Sequence, residues 1–132
     1  DLAKEELCNE VIHWGYCDSF EEYSKWLWKS DIIPVTSKQD FFGISIVEAV
    51  YCNSKPILPN NLAYPEIFDI SKNKKIFYND DSDFFNQLHD EILNFNTENS
   101  FLNEMNKFDW TNMIKQYDKT FRNLKEKFSE PS

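Results

Sequence analysis

Two carboxylates stand on either side of a glycine in the segment KQDFFGISIVEAV. Asp40 and Glu48 are eight residues apart, and between them is Gly43, one of only two glycines in the chain. The short apolar run at 31–36 predicts a strand immediately before this segment. Because ligands of open parallel sheets bind beyond the carboxyl ends of the strands, the segment is a candidate binding loop.

A helix is predicted from Gly43 to Cys52, ended by Asn53, a residue that tolerates the left-handed conformation. Free backbone amides at 43–46 would face the loop with the positive end of the helix dipole behind them, which suits a phosphate. Gly43 would let a ligand approach the backbone closely. The sequence therefore indicates an anion site at the start of this helix.

Glu48 lies about one and a half turns into the predicted helix, too deep to cap it. It stands in an otherwise apolar stretch, where a carboxylate needs a partner such as the paired hydroxyls of a ribose. Asp40 could accept hydrogen bonds from a second sugar. The structural alternative is that Asp40 caps the helix and Glu48 is simply solvated, and spacing alone does not decide between the two.

Strand-like and helix-like patterns alternate along the chain, which predicts an α/β fold with parallel βα units. Asp18 or Ser19, followed by Glu21 and Glu22, forms a capping signature for one of the helices. We predict strands at 10–17, 31–37, 55–59 and 74–79, and helices at 2–8, 18–30, 43–52, 63–68, 80–95 and from Asp109 onward.

Composition excludes several classes of protein. The 132 residues carry 41 % hydrophobic and 17 % aromatic side chains, enough for a core in a single domain over 1–132. A formal charge of −9 disfavours general nucleic-acid binding. The three cysteines share no CxxC spacing, which favours free thiols over a zinc site. With no signal-peptide pattern or membrane-length apolar run, we expect a cytoplasmic protein without a membrane span.

Other candidate groups have simpler interpretations. Asp81 and Asp83 resemble a metal-binding pair but are expected to complement the dipole of the helix that they open. His13 is expected to be packed, His89 to be at the surface, and Cys52 to be a small buried apolar residue. The apolar stripe of the last helix is expected to be core or interface; it comprises Trp110, Met113, Ile114, Tyr117, Phe121 and Leu124.

The string DFFGISIVEAVYCNSKPILPNNLAYPEIF resembles the donor-binding motif of GT-B retaining glycosyltransferases of the family 4-like type. The pattern stands here as Asp40, Phe42-Gly43, Glu48-Ala49, Lys55-Pro56 and Pro65-Glu66. Together with HWGY upstream, it is most similar to the tRNA-queuosine alpha-mannosyltransferase-like group. The resemblance extends over about residues 1–80 and implies a Rossmann-like parallel sheet flanked by helices, as part of a C-terminal GT-B domain.

The resemblance also implies a nucleotide-sugar site. Asp40 takes the position of the acid that binds donor-sugar hydroxyls, and Glu48 that of the ribose ligand. The amides around Phe41, Phe42, Gly43 and Ile44 would meet the sugar and diphosphate, and Gly15 and Tyr16 correspond to the region near the base. Asp40 replaces a glutamate, Gln39 a histidine and Asn53 a glycine. No catalytic residue, metal or cofactor is expected.

By this resemblance the chain is the donor-binding portion of a hexosyltransferase, with GDP-mannose as donor and queuosine-modified tRNA as the acceptor of the full-length enzyme. We expect the acceptor domain to be missing and the isolated chain to be inactive, with 119–132 as the end of the last helix and a tail. The alternative is a non-catalytic structural or interaction module that retains the fold.

The resemblance implies four strands of a six-stranded order, 3-2-1-4-5-6. The strand at 11–15 would then lie next to a gap, which cannot be left as bare backbone. We expect it either to pair directly with 32–36 or to be completed by a second copy of the chain.

Overall fold

The fold is built on a small parallel sheet at the centre of the chain. The structure, a computed structural model, describes residues 2–96 and 101–129. Strands β1 (Ile32–Pro34), β2 (Lys55–Pro59) and β3 (Phe77–Tyr78) are all parallel and lie in the order β1-β2-β3. In register, Ile33 pairs with Pro56 and Leu58 with Phe77. The α/β class and the Rossmann-like character of the domain are confirmed.

Helices flank this sheet close to where the sequence predicts them. The bounds are α1 Leu2–Glu6, α2 Phe20–Lys29, α3 Ile44–Tyr51, α4 Tyr64–Ile67, α5 Asp81–Leu93, α6 Leu102–Met105 and α7 Trp110–Ser129, with 3₁₀ turns at Lys74–Ile76 and Asn106–Phe108. Ser19 caps α2 by accepting a bond from the Glu22 amide, and Asn53 takes the left-handed conformation after α3, with φ of 79°. Both local predictions are confirmed.

The core forms where α3 and α4 cover the middle strand. Residues 56–59 of β2 are buried, because a central parallel strand is covered on both faces. The buried apolar cluster comprises Val35, Ile46, Val50, Leu58, Tyr64, Phe68, Ile76, Phe77 and Met105. One buried polar side chain, Ser54, donates to the Ser30 carbonyl at 2.8 Å, so its hydroxyl is satisfied.

The predicted strand at 10–17 is wrong. The amides of Glu10 and Val11 both donate to the Leu7 carbonyl, as in the continuation of a helical turn, and no strand is formed from 10 to 17. Ile12 is 84 % exposed and Tyr16 is 99 % exposed. The segment has the composition of a strand, but a strand exists only beside a partner, and β1 pairs with β2 alone. Direct pairing of 11–15 with 32–36 is therefore also wrong, and completion by a second copy remains a prediction.

The apolar stripe of α7 is not part of the core. Trp110 is 62 % exposed, Tyr117 46 % and Phe121 64 %, and these aromatic rings contact one another along the helix. The expectation that this stripe belongs to the core is wrong. The alternative, that it forms an interface, remains a prediction. Residues 119–129 continue α7, and the last three residues of the predicted tail lie outside the described part of the chain. Among the described helices none has the length and hydropathy needed to cross a bilayer.

Candidate functional site

The turn that leads into α3 is organised by Asp40. Its Oδ1 accepts hydrogen bonds from the amides of Phe42 at 3.1 Å and Gly43 at 2.8 Å. Its Oδ2 accepts from the hydroxyl of Tyr64 at 2.7 Å. An aspartate commonly bonds to the backbone two and three residues ahead in this way, whereas the longer glutamate does so less readily. Asp40 therefore has a structural role in the turn before α3, although the N-cap position itself is Gly43, which has no side-chain capping bond.

The hydrogen bonds to Asp40 stabilise its charged form. The Gly43 amide, then the Tyr64 hydroxyl and the Phe42 amide, hold the pKa of the Asp40 carboxyl below its ordinary value. Burial first, and then the bond to Asp40, raise the pKa of the Tyr64 hydroxyl. Tyr64 is fully buried in the core, so the core itself fixes the position of the Asp40 carboxylate.

Gly43 is required by packing as well as by backbone conformation. Its φ of 60° lies in the left-handed region that disfavours side chains. A Cβ at this position would lie 3.1 Å from the Tyr64 ring and 3.2 Å from Ile67 Cδ1. The space beside Gly43 is thus filled by the protein's own side chains, so the close approach of a ligand is not what this glycine provides.

Two backbone amides remain available at the start of α3. The amide of Gly43 is bonded to Asp40, and that of Ile46 donates to the Gly43 carbonyl at 3.1 Å. Within the described residues, the amides of Ile44 and Ser45 have no acceptor. The predicted anion site at 43–46 is therefore reduced to its two middle amides, which lie at the positive end of the helix dipole.

Glu48 is neither capping nor simply solvated. It is half-buried on α3, and its Oε2 accepts a hydrogen bond from the hydroxyl of Tyr23 on α2 at 2.8 Å. Burial, followed by the bond to Glu48, raises the pKa of Tyr23 to about 12, so this hydroxyl keeps its proton at neutral pH. The solvated part of the structural alternative is wrong, because Glu48 has a protein partner.

Glu48 lines two neighbouring cavities. One, of about 430 Å³, lies between α2, α3 and the start of α7 and is lined mainly by apolar side chains, among them Phe20, Leu27 and Phe108. The other, of about 460 Å³, runs from Phe42 and Ile44 to Glu48. Of the predicted site residues, Phe42, Ile44 and Glu48 therefore line one cavity, whereas Asp40, Phe41 and Gly43 are not among its lining residues.

The remaining predicted residues lie on exposed surface. Phe41 is 88 % exposed, Phe42 74 % and Tyr16 99 %. Gly15 has a φ of 91°, and no atom lies within 4 Å of the place of its missing Cβ. The structure does not bring Gly15 and Tyr16 into a pocket, and their contact with a base remains a prediction.

Candidates outside this site behave mostly as expected. Asp80 is the N-cap of α5, and Asp83 accepts a bond from the Asn79 amide at 3.0 Å, so this acidic group serves the helix start. Cys52 is half-buried, and burial raises the pKa of its thiol.

One group of ligand-type side chains occurs in the described part of the chain. Atoms of His13, Cys17 and Glu22 lie within 4.8 Å of one another. The His13 ring packs against Trp26, and Glu22 Oε2 already accepts from the Asp18 amide at 3.2 Å. The group thus supports the start of α2, and we assign no ion to it.

Sequence reasoning missed the two tyrosines that hold the two acids. Tyr23 has the spacing of a core aromatic in its helix, and Tyr64 precedes the proline of a short turn. Each donates to an acid more than twenty residues away, Tyr23 to Glu48 and Tyr64 to Asp40. No local pattern signals such a pair.

Fold and site together describe a partial Rossmann-like domain with a largely apolar cleft, which contains one carboxylate, at the start of one helix. Over 65 residues the chain is 40 % identical to the tRNA-queuosine alpha-mannosyltransferase of Drosophila melanogaster. The similarity covers 49 % of this chain but only 17 % of that protein. No protein-family profile matches the chain, and no solved structure matches it. This partial similarity suggests that the chain is related to that enzyme, and it supports a glycosyltransferase-like role.

Proposed function

We propose that this chain is the nucleotide-sugar-binding portion of a glycosyltransferase. The observation that supports it best is the cavity lined by both Ile44, the first residue of α3, and Glu48. A diphosphate would accept from the free amides of Ile44 and Ser45. The ribose of the same nucleotide would donate to Glu48, about one turn further along the helix.

The lone pairs of the two acids suit different partners. A carboxylate has about four acceptor positions. Glu48 uses one of them for Tyr23, so Oε1 can accept from both hydroxyls of a ribose. Asp40 uses three, for two amides and Tyr64, and can accept one further bond from a sugar hydroxyl. Glu48 is therefore the stronger candidate for recognition.

The donor sugar and the acceptor belong to the proposal as well. By resemblance the donor is GDP-mannose, and the relative's name gives queuosine-modified tRNA as the acceptor of a longer enzyme. No residue of this chain is assigned to the chemical step, since such transfer needs leaving-group stabilisation and a positioned acceptor. Binding should need no metal. The charge of −9 opposes a diphosphate, so we expect affinities in the high micromolar to millimolar range.

The test is the affinity for GDP and UDP, measured by saturation-transfer NMR. Glu48→Gln should weaken binding by about 1.5–3 kcal/mol, the range for a hydrogen bond to a charged group. Glu21→Gln makes the same change of charge at a surface position, where the side chain is 78 % exposed, and should leave affinity nearly unchanged. Equal effects of the two variants would mean that only net charge matters.

A non-catalytic module is the second candidate. It is favoured by the internal bonds of Asp40, since an acid that stabilises the turn before its helix has a structural reason to be there. This candidate predicts that neither nucleotide binds at concentrations up to about 10 mM. A dissociation constant above that value corresponds to a binding free energy of less than about 3 kcal/mol.

A further inference from the structure

The hydroxyl of Tyr23 is the sole protein group bonded to the Glu48 side chain among the described residues. Its ring lines the cavity of about 430 Å³ beside Phe20 and Leu27, so ring and hydroxyl have separable roles. The ring packs, whereas the hydroxyl reaches across from α2 to a carboxylate on α3. This bond links the helix before β1 to the helix after it.

We propose that Tyr23 is a positioning residue that fixes Glu48 for the recognition of a ribose, and so makes the site selective for ribonucleotides over dideoxyribonucleotides. This inference rests on the proposed function. A glutamate side chain loses rotamer entropy when it is ordered. Because Tyr23 orders Glu48 before any ligand arrives, that cost is not taken from the binding energy.

The arrangement also divides the two oxygens of Glu48 between two tasks. Oε2 accepts from Tyr23, and Oε1 remains for the 2′ and 3′ hydroxyls, which lie side by side on a ribose. Tyr23 remains a donor throughout the neutral range because its hydroxyl titrates only near pH 12. A phenylalanine at 23 would keep the packing and lose the bond.

The experiment compares GDP with 2′,3′-dideoxy-GDP in four proteins: wild type, Tyr23→Phe, Glu48→Gln and the double variant. Tyr23→Phe should weaken GDP binding about three- to tenfold, the range of one ordinary hydrogen bond, and should not alter the binding of the dideoxy compound. In the Glu48→Gln background the same substitution should have little further effect, because coupled residues are not additive. Tyr51→Phe, which removes a hydroxyl from the same cavity, is the matched control and should change neither affinity.

Three results would overturn the inference. Equal weakening of both nucleotides by Tyr23→Phe would show a general structural role. An unchanged GDP affinity in Tyr23→Phe, with a loss in Glu48→Gln, would show that Glu48 binds without help, and the proposed function would stand. If the wild type does not bind GDP, both the proposed function and this inference are wrong. A thermal melt of each variant separates unfolding from all of these.

Discussion

Replacement of Gly43 by alanine tests the geometry on which the site depends. The alanine must adopt a φ of 60°, which costs about 1–2 kcal/mol. Its Cβ must also displace the Tyr64 ring and Ile67 Cδ1, now 3.1 and 3.2 Å from that position, and such overpacking costs about 1–3 kcal/mol. We therefore expect Gly43→Ala to lower the free energy of unfolding by about 2–5 kcal/mol, more than most single substitutions.

Gly15→Ala is the matched control. Gly15 is also at positive φ, 91°, but a Cβ there meets nothing within 4 Å, so it carries the backbone cost alone. Urea unfolding of both variants should give a difference of about 1–3 kcal/mol between them, which is the packing cost. Ile67→Val, which removes the Cδ1 atom, should be less harmful in the Gly43→Ala background than in the wild type. Equal stabilities of the two glycine variants would refute the view that packing requires Gly43.

Two further predictions concern Ser19, the N-cap of α2, and Asp40, which stabilises the turn before α3. Ser19→Ala removes the acceptor of the Glu22 amide, now 3.1 Å away, and should destabilise the protein by about 1 kcal/mol in urea unfolding, whereas Ser24→Ala, inside the same helix, should have a smaller effect. The pKa of Asp40 is lower in the folded than in the unfolded chain, so its contribution to stability is present at neutral pH and is lost as pH falls below about 4 through the folded-state pKa. As the pH is lowered, the unfolding free energy of Asp40→Asn should therefore fall less steeply than that of the wild type. Asp118→Asn, on the exposed face of α7, is the control and should follow the wild type. Coincident acid profiles of Asp40→Asn and the wild type would contradict the assigned pKa shift.

Helix ends and turns could be predicted because the residues that form them are neighbours in the sequence. Ser19 with the two glutamates after it marks the start of α2, and Asn53 marks the end of α3. The same holds for Asp40, whose bonds to residues two and three positions ahead are the local alternative that the sequence left open. In each case the groups that decide the structure lie within one helical turn.

Features that depend on distant partners were not predictable. The segment at 10–17 has the residues of a strand but no strand beside it, and the pattern carries no information about that neighbour. Periodicity in α7 shows one apolar face, yet it cannot tell a core from an interface. The bonds of Tyr23 to Glu48 and of Tyr64 to Asp40 join residues 25 and 24 positions apart, which only the packed fold brings together.

Binding of a nucleotide diphosphate at the start of α3 is tested most directly by the amide spectrum of the ¹⁵N-labelled chain titrated with GDP. We expect the Ile44 and Ser45 signals to shift together and saturate, and guanosine, which lacks phosphate, to leave these two signals in place. Shifts confined to other parts of the chain, or none up to about 10 mM GDP, would contradict it.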